Sequence, residues 1–264
     1  MSKPSVKIVS GWSNPGGSTT AFINLCNMFN DNGVDCIFYG PHAWHMDKCR
    51  GLPLAEAGAN PEDNTIFHFI KVSNKYPVRK MIYSCHETDL RPVKDIVPIA
   101  YYSFIHYVSE FQKDWHNVDH PSKVIPNVLP DLRKKLYKDS DVAGVIGSID
   151  SHKRPHQSIQ RALDDGFKEV HLYGAITEPD YFKKEVQPLL NDNVVWKEYS
   201  EDKQDMYNSL HSVYHSSKRE TFNYIKAECE LTGTEYHGLP ENDPKATYLD
   251  NKQILELWKE ALEL

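Results

Sequence analysis

The feature that most constrains this chain is an alternation of short apolar runs with helix-like ones, which is played through once and then begins again. VKIVSGW (6–12) is a short apolar run. SNPGGSTT follows, and then AFINLCNMFNDNG, whose apolar residues recur at helical spacing up to Gly33. CIFYG (36–40), TIFHFI (65–70), MIYSCH (81–86) and YYSFIHYVS (101–109) read as further strands, EFQKDWHN as a short helix, and KVIPNVLP (123–130) as a strand running into prolines. Residues 41–64, with Pro41, His42, Trp44, His45 and Pro53, read as loop. A charged joint, DLRKKLYKDSD (131–141), precedes the restart. VAGVIGSI (142–149), EVHLYG (169–174), VVWKEY (194–199) and SVYHSS (212–217) are the next strands, with helices from about Pro155 to Gly166, around 178–191 and around 202–210. A further helix, the short run EYHG and a final helix in QILELWKEAL complete the chain. Strands separated by helices cannot close as hairpins, so the pattern predicts parallel α/β sheets with helices on their faces. It predicts two of them, with domains at 1–130 and 131–264 and the last helix free to pack back on the first.

Composition narrows the class. The 264 residues suffice for two small cores, and 40% hydrophobic with 25% charged residues is ordinary for a soluble globular protein. No apolar run approaches the ~18 residues of a membrane span. The start, MSKPSVKIVS, runs straight into a strand and is no signal peptide, so the expected location is the cytoplasm, a host's if the source is viral. Five cysteines without a CxxC pair read as reduced thiols. The net charge of −7 argues against a surface coated for nucleic acid, but it is uneven. Residues 1–130 carry 12 basic and 12 acidic side chains and seven of the thirteen histidines; the remainder carries 18 and 25. The neutral first half, with a basic linker at Lys71, Lys75, Arg79 and Lys80, is the half suited to an anionic partner.

Chemistry concentrates in Lys218–Gly233, KRETFNYIKAECELTG, where Glu220 and Glu228 stand eight positions apart. Asn223 can cap a helix whose apolar and small positions are Ile225, Ala227, Cys229 and Leu231, and Gly233 stops it. If fully helical, the eight residues span roughly 12 Å, the scale of a diphosphate-linked ligand. The helix's first N–H groups, which attract anions, lie between the two carboxylates. Read alone, the window is first an amphipathic helix with two solvated glutamates, and the ligand reading depends on the rest of the chain agreeing. In open parallel sheets ligands bind beyond the carboxyl ends of the strands, here the loops Ser13–Thr19, His86–Asp89, Ser148–Arg154 and Lys218–Asn223. His42, His45 and Cys49 lack the second half of a zinc site, so no metal is expected. NPGGSTT lacks the G-x-G-x-x-G spacing of a dinucleotide-binding dehydrogenase.

Taken in order, these stretches resemble the family 4 type of retaining nucleotide-sugar glycosyltransferases, with their GT-B architecture of two Rossmann-like domains whose parallel sheets face a central cleft. Gly16-Gly17-Ser18 follows the first strand, and His86 ends a strand in YSCHETD. VSEFQKDW (108–115) is similar to the family's helix-opening segment, and VIPNV (124–128) to its Pro-Asn crossover. GSIDSHKRPHQSI (147–159) resembles its phosphate-binding loop, with Lys153 at the lysine position, and Glu220-x7-Glu228 its paired glutamates. The resemblance implies that Lys153, beside Arg154, neutralises the donor diphosphate in place of a metal or other cofactor. It implies that the backbone of Thr221, Phe222 and Asn223 donates to phosphate or sugar, that Glu220 binds sugar hydroxyls and that Glu228 binds the ribose diol. Gly16 and Gly17 would let a loop approach the diphosphate or the acceptor, and His86 would sit at the reacting centre. Two departures stand out. Ser148 follows Gly147 where the family often has arginine, and Thr221-Phe222-Asn223 replaces its Gly-Phe-Gly, which implies a donor pocket shaped for a smaller or unusual sugar.

The resemblance extends to small phage-encoded enzymes that glycosylate DNA. It implies a UDP-sugar donor, with glucose or arabinose as the sugar and 5-hydroxymethylcytosine in double-stranded DNA as the acceptor. A cell-envelope glycan or lipid-linked sugar is the alternative acceptor. A non-catalytic nucleotide-binding module and a nucleotide-sugar epimerase are the alternatives on the same fold.

Overall fold

The structure is a computed structural model that describes residues 5–13, 16–41, 45–70, 76–87, 99–135 and 140–264. His42, Trp44, Lys71, Lys75 and Asp89, singled out above, lie outside the described residues. The chain divides into two compact units. One comprises residues 1–129 with 244–264, the other residues 130–243.

The first unit holds a seven-stranded sheet. Its strands are β1 (Val6–Ser10), β2 (Cys36–Gly40), β3 (Gly51–Pro53), β4 (Asn64–His68), β5 (Lys80–Cys85), β6 (Phe104–Tyr107) and β7 (Ser122–Val124), in the order β3-β2-β1-β4-β5-β6-β7. Every pairing is parallel. The central strands are buried on both faces, which is why they read as nearly unbroken apolar runs. Helix α1 (Gly17–Asp31) lays Phe22, Leu25, Cys26 and Phe29 on one face. Helix α2 (Glu110–His116) starts at Ser109, whose side chain accepts from the Gln112 N–H.

The last helix, α3 in the first unit (Asn251–Leu262), joins this same core, so residues 244–264 belong with the first unit and not with the second. Its capping box, Asp250 with Gln253, fixes where it begins. Asn251 then holds both backbone groups of Leu129, donating at 2.8 Å and accepting at 2.9 Å. Trp258 is the anchor. Only 1% exposed, it packs edge-on against Phe29 at 6.2 Å and over His106 at 4.6 Å.

The second unit has five parallel strands, β8 (Val142–Ile146), β9 (Glu169–Tyr173), β10 (Val194–Trp196), β11 (Ser212–Tyr214) and β12 (Glu235–His237), ordered β10-β9-β8-β11-β12. Three regular helices serve it, here numbered onward as α4 (Pro155–Asp164), α5 (Lys203–Asn208) and α6 (Tyr224–Thr232). α4 buries Ser158, Ile159 and Ala162, the side that meets the sheet core.

Several elements differ from the sequence reading for local reasons. The strand expected to reach Ile70 ends at His68, because Phe69 turns at φ 52°. The strand expected over 123–130 stops at Val124, ahead of Pro126. Residues 41–64 contain β3, a short edge strand ending in Pro53, where a missing N–H costs nothing. The helix expected around 178–191 is an α-turn at Pro179–Tyr181, a π-turn at Phe182–Val186 and a 3-10 turn at Gln187–Leu189. Pro188 there lacks the N–H that would continue a regular ladder.

Trp258→Ala is expected to lower the stability of the first unit by about 3–5 kcal/mol, the usual cost of emptying a buried aromatic site. Chemical denaturation followed through far-UV circular dichroism measures it. A loss below about 1 kcal/mol would show that the last helix is an accessory to this core.

Candidate active site

Each sheet has one place where the connections change direction. In the first the chain leaves β1 toward β2 and returns to β4 on the other side; in the second it leaves β8 toward β9 and returns to β11. At such a point the loops after the two central strands separate and leave a crevice at the strands' carboxyl ends.

In the second unit that crevice is lined by the loops 147–154 and 215–223. The first turns at Gly147, φ 138°, a conformation that favours glycine. A Cβ on Gly174, the corresponding residue after β9, would meet the Gly147 oxygen at 1.8 Å, so the two loop starts pack backbone to backbone. Asp150 then folds the loop on itself. Its carboxylate accepts from the His152 N–H at 2.9 Å, the Lys153 N–H at 2.7 Å and the Ser148 hydroxyl at 2.6 Å. Ser148, standing where arginine was expected, is thereby turned into its own loop. Arg154 sits at φ 50° and caps α4, with Pro155 in the first helical position.

The two loops are fastened to each other. The Lys218 N–H donates to the His152 oxygen at 2.9 Å, and His152 Nε2 donates to the Arg219 oxygen at 2.9 Å. Arg154 Nε donates to the Ser216 oxygen at 2.8 Å. At the centre, Glu220 Oε1 receives Lys153 Nζ at 2.5 Å and His215 Nε2 at 2.9 Å. Burial pushes the Glu220 carboxyl up, but the Lys153 ammonium and the hydrogen bonds from His215 and Lys153 outweigh it and hold the group well below the usual carboxylate range. Glu220 is therefore favoured as an anion, held by two donors on one oxygen.

Asn223 closes the second loop at φ 64° and caps α6, accepting from the Lys226 N–H at 3.1 Å and donating to the Tyr236 hydroxyl at 2.7 Å. Helix α6 ends at Gly233, φ 70°. The left-handed turn at Asn223 separates Glu220 from the helix, so the straight 12 Å helical span between the two glutamates does not occur. Phe222 is buried with its ring edge-on to Tyr224, 5.1 Å away, beside Thr221. Glu228 is 2% exposed; one oxygen receives Lys203 Nζ and the other the Tyr207 hydroxyl at 2.8 Å. Burial, reinforced by the Glu228 charge, pushes the Tyr207 hydroxyl well up, so it stays a donor.

The first unit holds Gly16, Gly17 and His86. Gly16 is extended and precedes α1 without any side-chain cap; its oxygen accepts from the Thr20 N–H at 3.1 Å. Gly17 opens the helix. His86 belongs to a chain of buried polar groups. His106 Nε2 donates to the Ile125 oxygen at 2.8 Å, so its Nδ1 accepts from the Ser84 hydroxyl at 2.8 Å. Ser84 in turn accepts from His86 Nε2 at 3.0 Å. Burial, with His68 and His106 nearby, pulls the His86 imidazole well below its ordinary value, and burial pulls His106 down to about 4. Beside them, register sets Ser10 opposite His68. His68 reaches Ser10 Oγ at 2.8 Å and Glu87 Oε1 at 2.8 Å.

The structure thus gathers Lys153, Arg154, Glu220, Thr221, Phe222 and Asn223 on adjoining loops, and it buries Glu228 behind them on α6. Several contributors were not singled out from sequence: Asp150, His152, Lys203, Tyr207, His215, Ser10, His68 and Glu87. His215 carried a usable signal, a histidine closing the apolar run SVYH as His86 closes MIYSCH. Among the described residues no group of three or more His, Cys, Asp or Glu is arranged to hold a metal ion, and no helix is long and apolar enough to cross a membrane.

No family profile matches the chain, and no curated protein is significantly similar to it in sequence. Solved structures are similar in fold. Anabaena HepE in complex with UDP and glucose superposes with a TM-score of 0.67 at 15% identity, over 89% of this chain and 80% of that one. TarM gives 0.71 at 12% identity, over 100% and 92%. WaaG, a glycosyltransferase involved in lipopolysaccharide biosynthesis, gives 0.65 at 10% identity, over 98% and 90%. At these identities the likeness is one of fold, and that fold is the GT-B arrangement of two parallel-sheet α/β domains.

Glu220→Gln is expected to cost about 1–3 kcal/mol at pH 7, since Lys153 and His215 lose a charged acceptor. A depressed folded pKa makes the wild type more stable as pH rises from below it through the ordinary carboxylate value. The difference between wild type and variant is therefore full at neutral pH and shrinks as pH falls below the ordinary carboxylate range. Urea melts at pH 7, 5 and 3 test this; a difference independent of pH would remove the ionised Glu220 from the stability of the loops.

Proposed function

We propose that this protein is a retaining glycosyltransferase that moves a sugar from a UDP-sugar to a hydroxyl acceptor without a metal. The acceptor we favour is 5-hydroxymethylcytosine in phage DNA, with glucose or arabinose as the sugar. The observation that carries the reading is the Lys153–Glu220–His215 cluster at the reversal point of the second sheet. There a cation, a permanent carboxylate and the start of α6 meet on loops fastened to each other. HepE, of the same fold, has been solved with UDP and glucose and with UDP-glucose, which supports the donor class.

The chemistry assigned to the site balances simply. The bond between the sugar C1 and the β-phosphate oxygen breaks, and the acceptor oxygen bonds C1 from the same face. The acceptor proton goes to the departing phosphate, leaving UDP and the glycoside. The negative charge growing on the diphosphate is the main demand, and Lys153 and Arg154 with the α6 N-terminus answer it. Glu220 accepts from sugar hydroxyls through the oxygen not already shared by Lys153 and His215. Glu228 accepts from the ribose diol, which would share it with Lys203, itself 30% exposed. His86, a neutral imidazole, positions the sugar, and Gly16 and Gly17 let their loop approach the diphosphate or the acceptor without a Cβ clash.

Two alternatives rest on particular observations. WaaG's association with lipopolysaccharide favours an envelope glycan as acceptor. The inward turn of Ser148 leaves the loop without the family's arginine, which favours a module that binds nucleotide but does not turn it over. Incubation with a panel of UDP-sugars, with and without hydroxymethylcytosine-containing DNA, separates all three, with free UDP and digested nucleosides read by mass spectrometry. A sugar-bearing nucleoside that drops at least 100-fold in Lys153→Ala and Glu220→Gln is the expected result. UDP release without a modified nucleoside replaces the DNA acceptor by a glycan. Tight UDP binding with no release from any donor leaves the non-catalytic module.

A further inference from the structure

Three of the five cysteines, Cys26, Cys36 and Cys49, meet in the first unit. Cys26 stands on the buried face of α1, Cys36 opens β2, and Cys49 follows the 3-10 turn Met46–Lys48 that leads to β3. The Cys26 side chain is hydrogen-bonded to those of both Cys36 and Cys49. Its sulfur also lies 3.5 Å from the Cys36 oxygen and 4.0 Å from the Arg50 oxygen, and it receives the Asn30 amide at 3.5 Å. The other two cysteines are placed differently. Cys85 faces His116 and Gln112, and Cys229 lies in the core of the second unit.

A single buried thiol packs as a small apolar side chain and carries no message. Thiols in mutual contact differ, because their sulfurs have only to close to about 2.05 Å to bond. The three do not form a group that could hold a metal ion, which leaves the chemistry that thiols do to one another. Hydrogen bonds from Cys36 and Cys49, with the Arg50 backbone and guanidinium behind them, pull the Cys26 thiol below its ordinary value against the push of burial.

The trio is not symmetric. Cys26 and Cys36 are fully buried, whereas Cys49 is half-buried between the exposed Lys48 and Arg50. Cys36 is also fixed in place. It pairs with Val6 in the sheet, and the Asn30 side chain accepts from its N–H at 3.0 Å and donates to its oxygen at 2.9 Å. Cys49 belongs to no regular element. Its oxygen accepts from the Gly51 N–H at 2.8 Å and its thiol donates to the Met46 oxygen at 3.9 Å, both within its own turn. An oxidant arriving from solvent meets Cys49 first, and Cys49 is the member of the trio with freedom to move toward a partner.

We propose that Cys26 and Cys49 form a redox-sensitive pair, closed to a disulfide by peroxide and reopened by thiols. The pairing needs nothing from the transferase reading. Hydrogen peroxide breaks its O–O bond on the Cys49 sulfur, leaving a sulfenic acid and one water. The Cys26 sulfur then attacks the Cys49 sulfur, the S–O bond breaks, and the departing hydroxide leaves with the Cys26 proton as a second water. Two electrons pass from the two sulfurs to peroxide. The bond pins the turn at Met46–Lys48 and the edge strand β3 to α1.

The test treats the reduced full chain with a few equivalents of hydrogen peroxide, then unfolds, alkylates and digests it without reductant for mass spectrometry. A linked pair of peptides holding Cys26 and Cys49 is expected, lighter than their sum by about 2 Da and lost on adding dithiothreitol. Cys36, Cys85 and Cys229 are expected to be alkylated. The link is expected to persist in Cys36→Ser and to vanish in Cys49→Ser, a change at a half-buried position that leaves the core intact. A link between Cys26 and Cys36, or one that survives in Cys49→Ser, overturns the proposal. So does Cys49 carried on to sulfinic acid while Cys26 is still alkylated. Backbone hydrogen exchange over residues 46–53 is expected to slow about tenfold in the oxidised chain. Exchange unchanged there would overturn the pinning of β3.

Discussion

Parallel pairing is the constraint from which the rest of this molecule follows. A chain that pairs strands in parallel cannot turn tightly at a strand end; it must cross over and begin each strand at the same edge. All the carboxyl ends, and all the loops that leave them, then collect on one side of each sheet. A sheet that grows in both directions from its first strand has one place where neighbouring loops part company. Here that place lies between β1 and β4 in one unit and between β8 and β11 in the other. A polar network described above sits at each of those two places. One joins Ser10, His68 and Glu87; the other joins Asp150, His152, Lys153, His215 and Glu220. Neither network is local in sequence. Each is assembled by strand register, which sets Ser10 opposite His68 and Tyr214 opposite Val145.

Local signals survived into the structure nearly intact because they are settled by a few neighbouring residues. Asn223 caps and Gly233 stops α6 as their side chains dictate, and the buried strands fall where unbroken apolar runs stand. What sequence could not supply was partnership across distance. Lys153 and Glu220 are 67 positions apart, and their meeting depends on β8 pairing with β11. The same holds for the last helix. Its amphipathic pattern says that one face is buried but not where; Trp258 fitting beside Phe29 and His106, with Asn251 on Leu129, assigns it to the first unit. Backbone turns at non-glycine residues were equally hidden. Phe69, Arg154 and Asn223 all adopt positive φ, and nothing in an ordinary reading of TIFHFI or HKRP announces it.

The histidine line of the first unit, Ser84 with His86 and His106, and the ion pair of the second treat charge differently. In the first unit His86 and His106 are neutral, held in one tautomer by a line of donors that ends on the Ile125 carbonyl. Such a line moves little charge and serves to fix geometry. In the second unit a full ion pair, Lys153 with Glu220, is kept with side chains 27% and 14% exposed. Taking two ions partly out of water costs several kcal/mol unless they are well met, and here Glu220 is met by both Lys153 and His215. The pair also holds a cation beside the loop that leads into α6. Under the function proposed above, a diphosphate approaching that helix would carry more charge than one carboxylate and would compete for Lys153 with the helix N-terminus behind it. Glu220, still held by His215, would remain an acceptor for hydroxyl groups. On that reading the ion pair is a stand-in for the donor's own charge, and His215 is what would let the carboxylate keep its place as the lysine turned to the phosphate.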